Sequence, residues 1–311
     1  MTYKTIVNLI SMIRIDHWFK NIFVLPGIIF AFLLTDKTFD LENLLYYFRL
    51  LFAVCLIASS NYLINEFLDS KFDKYHPTKK NRPSVKYNFK IIHIFIFYFL
   101  LIFVSFFISH DANIKFHFFL LLLLIMGIFY NVKPLRLKDK PYLDILSESL
   151  NNPIRLLLGW YMVVETSLPP SSLILSFWMG GSFLMTIKRF AEIRSVKKTL
   201  LKKYRASFKH YTENLLLLKS FFYSLMTAFF LGIFLIKYRI EYLITFPFLS
   251  LLFVYYLSIG LSKDSITQTP EKLYKNKVLN LIVLINILVF LIASIYDFEN
   301  IKVLTESFNF D

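Results

Sequence analysis

The chain has 311 residues, of which 57% are hydrophobic, 19% aromatic and only 18% charged. This composition excludes an ordinary soluble globule, which would carry more charge and fewer Phe residues. The formal net charge of +14 does not indicate a nucleic-acid partner, because the Lys and Arg residues are concentrated in alternate loops between apolar runs, as in membrane proteins.

Apolar runs of about 15 to 20 residues recur along the chain, and a helix of about 20 apolar residues crosses a bilayer core. They predict an all-α, polytopic membrane protein with about nine transmembrane helices and a single domain over residues 1–311, in which the first twenty residues form an interfacial helix. The predicted spans are residues 21–35, 44–66, 90–109, 116–131, 144–164, 171–188, 214–236, 241–260 and 278–296.

The basic residues are distributed unevenly between the two sides of these spans. Of the 35 Lys and Arg residues, 27 lie in the N-terminal segment and in every second loop, and only 6 lie on the opposite side. Cytoplasmic loops of membrane proteins are enriched in Lys and Arg. The asymmetry therefore predicts a prokaryotic-type cell membrane protein with a cytoplasmic N-terminus and an external C-terminus.

The second predicted span ends in an aspartate ladder, four polar residues spaced four apart: Asn61, Asn65, Asp69 and Asp73. On a helix this spacing places all four on one face. Acidic residues at the end of a membrane helix need a cavity, a metal or a partner, and hard oxygen ligands suit Mg²⁺. The ladder predicts a Mg²⁺ site of Asn65, Asp69 and Asp73. Solvation of a helix end is the alternative, and the role of Glu66, one position off the ladder, stays open.

A basic cluster follows the ladder, with Lys79, Lys80 and Arg82 between two prolines that stop the helix. In a diphosphate site, a metal bridges phosphate oxygens while Lys and Arg neutralise the remaining charge. The cluster beside the carboxylates therefore predicts a diphosphate substrate. Charge that only sets the membrane topology is the alternative.

A second acidic pair, Asp144 and Glu148, begins the fifth predicted span and follows Lys138. Opposite the ladder, this pair would complete a clamp around a metal-bound diphosphate, although Asp144 is also in position to cap a helix. Residues 151–153 (Asn-Asn-Pro) predict a break or kink whose role stays open. Arg155 lies within the span and needs an anionic partner, which is either a substrate phosphate or one of these two carboxylates.

Several of these segments resemble one protein family. Residues 65–73, Asn-Glu-x-x-Asp-x-x-x-Asp, resemble the first aspartate-rich motif of the UbiA-type intramembrane prenyltransferase superfamily. Residues 76–83, His-Pro-x-Lys-x-x-Arg-Pro, are similar to the continuation found in its decaprenyl-phosphate phosphoribosyltransferase branch. Segments 14–21 (RIDHWFKN), 130–144 (YNVKPLRLKDKPYLD) and 188–192 (KRFAE) also resemble that branch.

This resemblance implies helices around a central cavity open to the cytoplasmic face, with Mg²⁺ as cofactor. It also implies transfer of 5-phosphoribose from phosphoribosyl diphosphate to a polyprenyl phosphate, in cell envelope biosynthesis. Asp69, Asp73 and Asp144 are the expected catalytic residues. The expected substrate-binding residues are Lys20, Asn61, Lys79, Lys80, Arg82, Tyr130, Lys138, Arg155, Lys188, Arg189 and Glu192.

Two other functions are compatible with parts of the pattern. In one, the donor is a prenyl diphosphate and the acceptor is an aromatic or other lipid-soluble molecule. In the other, the protein is a lipid or ion transporter, but its polar residues would then lie near the bilayer midplane rather than at the cytoplasmic ends of spans. The basic stretch 197–209 is expected to contact anionic lipid headgroups and to have no catalytic role.

Overall fold

The computed structural model describes residues 3–262, 265–296 and 298. Within these ranges the chain is helical and contains no strand, which confirms the predicted all-α class. Short 3-10 turns include Ile15–Phe23, Lys79–Asn81, Leu137–Asp139 and Ala206–His210. The α-helices are α1 (Tyr3–Met12), α2 (Val24–Leu34), α3 (Leu44–Asp73), α4 (Pro83–Lys86), α5 (Ile91–Ile108), α6 (Ile114–Asn131), α7 (Leu143–Ser149), α8 (Asn151–Tyr161), α9 (Ser171–Ser195), α10 (Lys198–Tyr204), α11 (Glu213–Tyr238), α12 (Phe246–Leu261) and α13 (Lys277–Ile295).

Seven stretches of the described residues are long and apolar enough to cross a membrane, as expected for an integral membrane protein. They overlap seven of the nine predicted spans. The predicted span 144–164 is divided between α7 and α8, and the predicted span 171–188 lies within α9, a helix whose sequence is more polar. The total of nine spans stays a prediction. The seven stretches are Ile6–Leu34, Leu41–Asp73, Ile91–Ile108, Ile114–Asn131, Glu213–Tyr238, Ile240–Leu261 and Lys277–Ile295.

The predicted break at residues 151–153 is confirmed, because α7 ends at Ser149 and α8 begins at Asn151. Pro153 is the third residue of α8. Its missing N–H removes no helical hydrogen bond there, since the first turn of a helix has no carbonyl partners for its N–H groups. A single residue, Leu150, separates the acidic α7 from the buried α8.

Contacts between Cα atoms divide the chain into two compact units. The first comprises residues 1–169 and 193–215 and carries α1 to α8 and α10. The second comprises residues 170–192 and 216–311, and its described part carries most of α9 together with α11, α12 and α13. One domain over residues 1–311 stays a prediction.

Two glycines bring α2 and α8 into backbone contact within the first unit. A Cβ on Gly27 would lie 2.0 Å from the Leu156 carbonyl oxygen, and one on Gly159 would lie 2.0 Å from the Val24 carbonyl oxygen. Small residues allow such close approach, and dispersion contacts between the helices then stabilise the pair in a membrane. This contact fixes α8, which carries Arg155, against α2.

In the second unit, α12 packs on α13, and the Phe183 and Phe253 rings stack with their centroids 4.7 Å apart. Aromatic stacking adds to the apolar contact area that holds helices together.

Candidate active site

The aspartate ladder lies on the last turns of α3, which continues without interruption to Asp73. Asn61 begins the ladder and fixes α3 to α6, since its Nδ2 donates to the Leu123 carbonyl oxygen over 2.9 Å. Gly127 on α6 leaves room for this amide, because a Cβ there would lie 2.0 Å from Asn61 Oδ1. Asn61 therefore positions the ladder, whereas Asp69 and Asp73 line a pocket beyond it.

This pocket, which we call the aspartate pocket, has a volume of about 20 Å³. That space suits one water molecule or one ion, so a diphosphate binds here only if the surrounding side chains move. All of its lining belongs to the first unit: Asp69, Phe72, Asp73, Arg136, Lys138, Asp139, Tyr204 and Arg205.

Asp69 is paired with two cations from the loop after α6. Its Oδ1 lies 2.9 Å from Arg136 Nη2 and 2.5 Å from Lys138 Nζ. Lys138 also donates to Asn65 Oδ1 over 3.2 Å and to Asn131 Oδ1 over 2.8 Å. Burial lowers the pKa of Lys138 to about 8, although the Asp69 carboxylate opposes this shift. One ammonium thus bridges two of the three predicted metal ligands.

Asp73 is only 2% exposed, and Arg82 Nη1 lies 2.6 Å from its Oδ2. Of the other basic-cluster residues, Lys79 contacts the hydroxyl and the ring of Tyr204, whereas Lys80 is exposed. The structure therefore brings Arg82 and Lys79 to the ladder and leaves Lys80 at the surface.

Asp144 is fully buried at the start of α7. Its carboxylate accepts hydrogen bonds from the hydroxyls of Ser207 and Tyr211, and Arg205 Nε lies 3.8 Å from its Oδ2. Asp144 thus ties α7 to the turn at 206–210 and meets the aspartate pocket through Arg205.

Arg205 links the pocket to the second acidic pair. Its Nη2 donates to the Tyr130 hydroxyl over 2.5 Å, and its Nε donates to the Lys138 carbonyl over 3.2 Å. The Tyr130 hydroxyl in turn donates to Glu148 Oε2 over 2.6 Å. The expectation that the stretch 197–209 contacts only lipid headgroups is therefore wrong for Arg205, because this stretch folds back over the pocket.

Two predicted substrate-binding residues, Lys20 and Arg155, lie apart from the pocket lining. Arg155 is 7% exposed, and its Nε donates to Asn21 Oδ1 over 2.8 Å. Lys20 Nζ lies 5.6 Å from the centroid of the Tyr62 ring.

Lys188, Arg189 and Glu192 belong to α9 in the second unit. Arg189 Nη1 lies 2.8 Å from Glu192 Oε2, and both side chains are buried. This is the ordinary helical pairing of residues three apart, and the predicted role of these residues in substrate binding stays a prediction.

Sequence reasoning missed five of the eight pocket residues: Phe72, Arg136, Asp139, Tyr204 and Arg205. Arg136 lies inside the segment 130–144, and its backbone adopts a left-handed conformation with φ 31°. An Arg residue rarely adopts this conformation, so the sequence did not indicate that the chain turns there. Tyr204 and Arg205 lie in a basic stretch, where an aromatic residue beside Arg was the available signal of a binding surface.

Two carboxylates of the aspartate pocket, together with Asn65 beside it, fit a magnesium ion. Asn65, Asp69 and Asp73 offer only hard oxygen atoms, as Mg²⁺ prefers, and the volume of about 20 Å³ accommodates a single ion. Each of these side chains already contacts a cationic group, so its oxygen atom is oriented to accept a positive charge. Binding of the metal requires Lys138, Arg136 and Arg82 to release oxygen atoms that they now hold.

Comparison with known proteins identifies the family of the chain. Residues 23–294 match the sequence model of the UbiA prenyltransferase family. A decaprenyl-phosphate phosphoribosyltransferase of Mycolicibacterium smegmatis is 30% identical over 221 residues, which cover 68% of this chain and 65% of that protein, slightly less than two thirds of its length.

Solved structures share the fold at low sequence identity. A UbiA homolog from Archaeoglobus fulgidus bound to GPP and Mg²⁺ is 17% identical with a TM-score of 0.67, over 91% of this chain and 99% of that one. The same homolog bound to DMAPP and Mg²⁺ is 16% identical with a TM-score of 0.67, over 93% and 100%. A family model that covers most of the chain decides its membership: the chain belongs to the UbiA prenyltransferase family.

Proposed function

We propose that this protein is a membrane-bound transferase that moves 5-phosphoribose from phosphoribosyl diphosphate to a polyprenyl phosphate. The observation that carries the proposal is the number of cations at the aspartate pocket. Four cationic side chains, more than a metal-bound diphosphate alone needs, contact the pocket or its carboxylates: Arg82, Arg136, Lys138 and Arg205.

The number of cationic side chains at the aspartate pocket favours the sugar donor. A prenyl diphosphate presents only its diphosphate, whereas phosphoribosyl diphosphate adds a separate 5-phosphate that can accept further charge-assisted hydrogen bonds. The name of the M. smegmatis relative, a decaprenyl-phosphate phosphoribosyltransferase, supports a phosphoribosyl group as the part transferred and a polyprenyl phosphate as the acceptor.

In this reaction Asn65, Asp69 and Asp73 would hold Mg²⁺, which when bound neutralises charge on the diphosphate leaving group. Arg136 and Arg205 bind phosphate oxygens and orient the sugar. The bond between ribose C1 and the diphosphate oxygen breaks, and a lipid phosphate oxygen forms the new bond to C1. The carboxylates of Asp69 and Asp73 stabilise positive charge that develops at C1. The acceptor is already an anion, so no general base is required.

A donor competition tests this proposal. The purified protein in nanodiscs, with Mg²⁺ and a polyprenyl phosphate, should convert phosphoribosyl diphosphate into a phosphoribosylated lipid and leave geranyl diphosphate intact. Lipid mass spectrometry identifies the product, and the double variant Asp69→Asn/Asp73→Asn serves as the blank. Consumption of geranyl diphosphate but not of phosphoribosyl diphosphate would replace this proposal with prenyl transfer.

We also propose that the N-terminus and the aspartate pocket face the cytoplasm and that the C-terminus lies outside. The C-terminal residues 299–311 lie outside the described residues. The charge asymmetry of the loops supports this orientation.

Cysteine labelling in intact cells measures the orientation. Lys80→Cys should be shielded from an impermeant maleimide, whereas Lys37→Cys on the opposite side should react. Both positions are exposed, and the native Cys55 is buried and gives little background. Labelling of position 80 but not of position 37 would reverse the orientation.

A further inference from the structure

Arg155 occupies a buried polar site that the aspartate pocket does not include. It is 7% exposed, and it lies on α8 against the 3-10 turn Ile15–Phe23 and α3. Its Nε donates to Asn21 Oδ1 over 2.8 Å and its Nη1 to the Asn151 carbonyl over 3.3 Å. Asn21 in turn donates to Cys55 Sγ over 3.1 Å. These contacts use the Nε and Nη1 groups of the guanidinium and supply no negative charge.

No carboxylate of the described residues pairs with Arg155. The ionisable groups that act on it are the Tyr62 hydroxyl and the Cys55 thiol, and both groups are ordinarily neutral at pH 7. The alternative expected from the sequence, a salt bridge to Asp144 or Glu148, is therefore wrong. A buried cation without a counter-charge is strongly disfavoured in a membrane protein, and such residues mark binding sites or transport pathways.

A second cation lies near Arg155. Lys20 Nζ is 5.6 Å from the centroid of the Tyr62 ring, and Lys20 directly precedes Asn21, the hydrogen-bond partner of Arg155. We call Lys20, Asn21, Tyr62 and Arg155 the Arg155 site. It is built from α8, the 3-10 turn and the middle of α3, so it brings two cationic side chains into the membrane-spanning part of the first unit.

The Arg155 site lies deeper along α3 than the aspartate pocket. Tyr62 precedes Asp69 by seven residues, which is about 10 Å of helix rise. Glu148 belongs to the network of the aspartate pocket, since Tyr130 donates to it and accepts a hydrogen bond from Arg205. Two anion sites at different depths suit two phosphorylated substrates, and the deeper one suits the substrate that comes from the lipid phase.

We propose that the Arg155 site binds the phosphate monoester of the lipid acceptor, while the aspartate pocket binds the diphosphate donor. This assignment rests on the proposed function, because it takes a lipid phosphate as the second substrate. Arg is suited to the task, since its planar fork can bind two phosphate oxygens at once.

Binding measurements test the assignment without turnover. In phosphatidylcholine nanodiscs, Arg155→Gln should weaken binding of farnesyl phosphate at least tenfold and leave the affinity for phosphoribosyl diphosphate within twofold of the wild-type value. Farnesol should not bind measurably to either protein. Arg155→Lys keeps the charge but loses the fork, so it should retain part of the affinity. Arg49→Gln is the matched control. Arg49 also lies on a membrane helix of the first unit, α3, but it pairs with Asp111.

Thermal unfolding separates binding from a structural role. Since Arg155 has no counter-charge, Arg155→Gln should leave the Tm of the ligand-free protein unchanged or raise it. Farnesyl phosphate should raise the Tm of the wild type and of Arg49→Gln but not of Arg155→Gln, because a ligand stabilises only the protein that binds it.

Four results would overturn the assignment. The first is wild-type affinity of folded Arg155→Gln for farnesyl phosphate. The second is an equal loss of affinity for phosphoribosyl diphosphate, which would place Arg155 in the donor site. The third is a lower Tm or loss of folding in both Arg155 variants, which would make the residue structural. Equal competition by phosphatidylglycerol or inorganic phosphate would likewise show a general anion site. Failure of the donor competition alone would overturn the proposed reaction and leave these binding results intact.

Discussion

Asp69→Asn and Asp73→Asn should each lower the transfer rate by about two to three powers of ten, the loss typical for a group that stabilises transition-state charge. Both carboxylates line the aspartate pocket, and an amide in their place supplies neither a strong Mg²⁺ ligand nor negative charge beside C1. The variants should still fold, because the ladder ends at the terminus of α3 rather than in the apolar core, and Asn preserves the shape of Asp.

Initial rates of lipid product formation measure this loss, with size-exclusion elution as the check on folding. Asp36→Asn is the matched control, since Asp36 is exposed on the loop after α2 and should keep the wild-type rate. EDTA should abolish the wild-type rate and added Mg²⁺ should restore it. Full activity of either ladder variant, or of the metal-stripped protein, would contradict a metal-binding ladder.

Arg205→Ala should lower kcat/KM for the donor by about one to two powers of ten. Arg205 holds Tyr130 and the Lys138 carbonyl and lies 3.8 Å from Asp144. A charge-assisted hydrogen bond is worth about 1.5–3 kcal/mol, and about 1.4 kcal/mol corresponds to a tenfold change in kcat/KM. Arg205→Lys should recover only part of the loss, since Lys cannot make several of these contacts at once.

Lys209→Ala provides the comparison, because Lys209 is an exposed basic residue of the same stretch. It should keep the wild-type kcat/KM while slightly weakening attraction to anionic vesicles. Steady-state kinetics at varied concentrations of phosphoribosyl diphosphate give kcat/KM for Arg205→Ala and for Lys209→Ala. Equal effects of Arg205→Ala and Lys209→Ala would mean that the whole stretch acts only on lipid headgroups.

The ladder was predictable because the spacing of its residues within one helix is enough to define it. A spacing of four places Asn65, Asp69 and Asp73 on one helix face whatever the rest of the fold does. Residues 151–153 also indicated a helix break, which the structure has at the adjacent Leu150. Hydropathy likewise identified the membrane class, although α9 is polar enough that the number of spans does not follow from it.

The closure of the pocket was not predictable in the same way. Arg205 is 132 residues beyond Asp73 in the sequence, and no periodicity indicates that the stretch after α9 returns to α3. Charge alone does not distinguish an Arg at a lipid surface from an Arg over a pocket. That difference depends on tertiary contacts such as those of Asp144 with Ser207 and Tyr211.

The backbone contact between α2 and α8 restricts how a lipid can approach Arg155. Gly27 and Gly159 bring the two helices so close that a single added carbon would collide with the opposite carbonyl. An isoprenoid chain is far wider than such a gap, so the seam between α2 and α8 is sealed against it. A lipid whose headgroup reaches Arg155 must therefore place its tail along a different groove of the protein. The close helix contact at Gly27 and Gly159 blocks entry between α2 and α8.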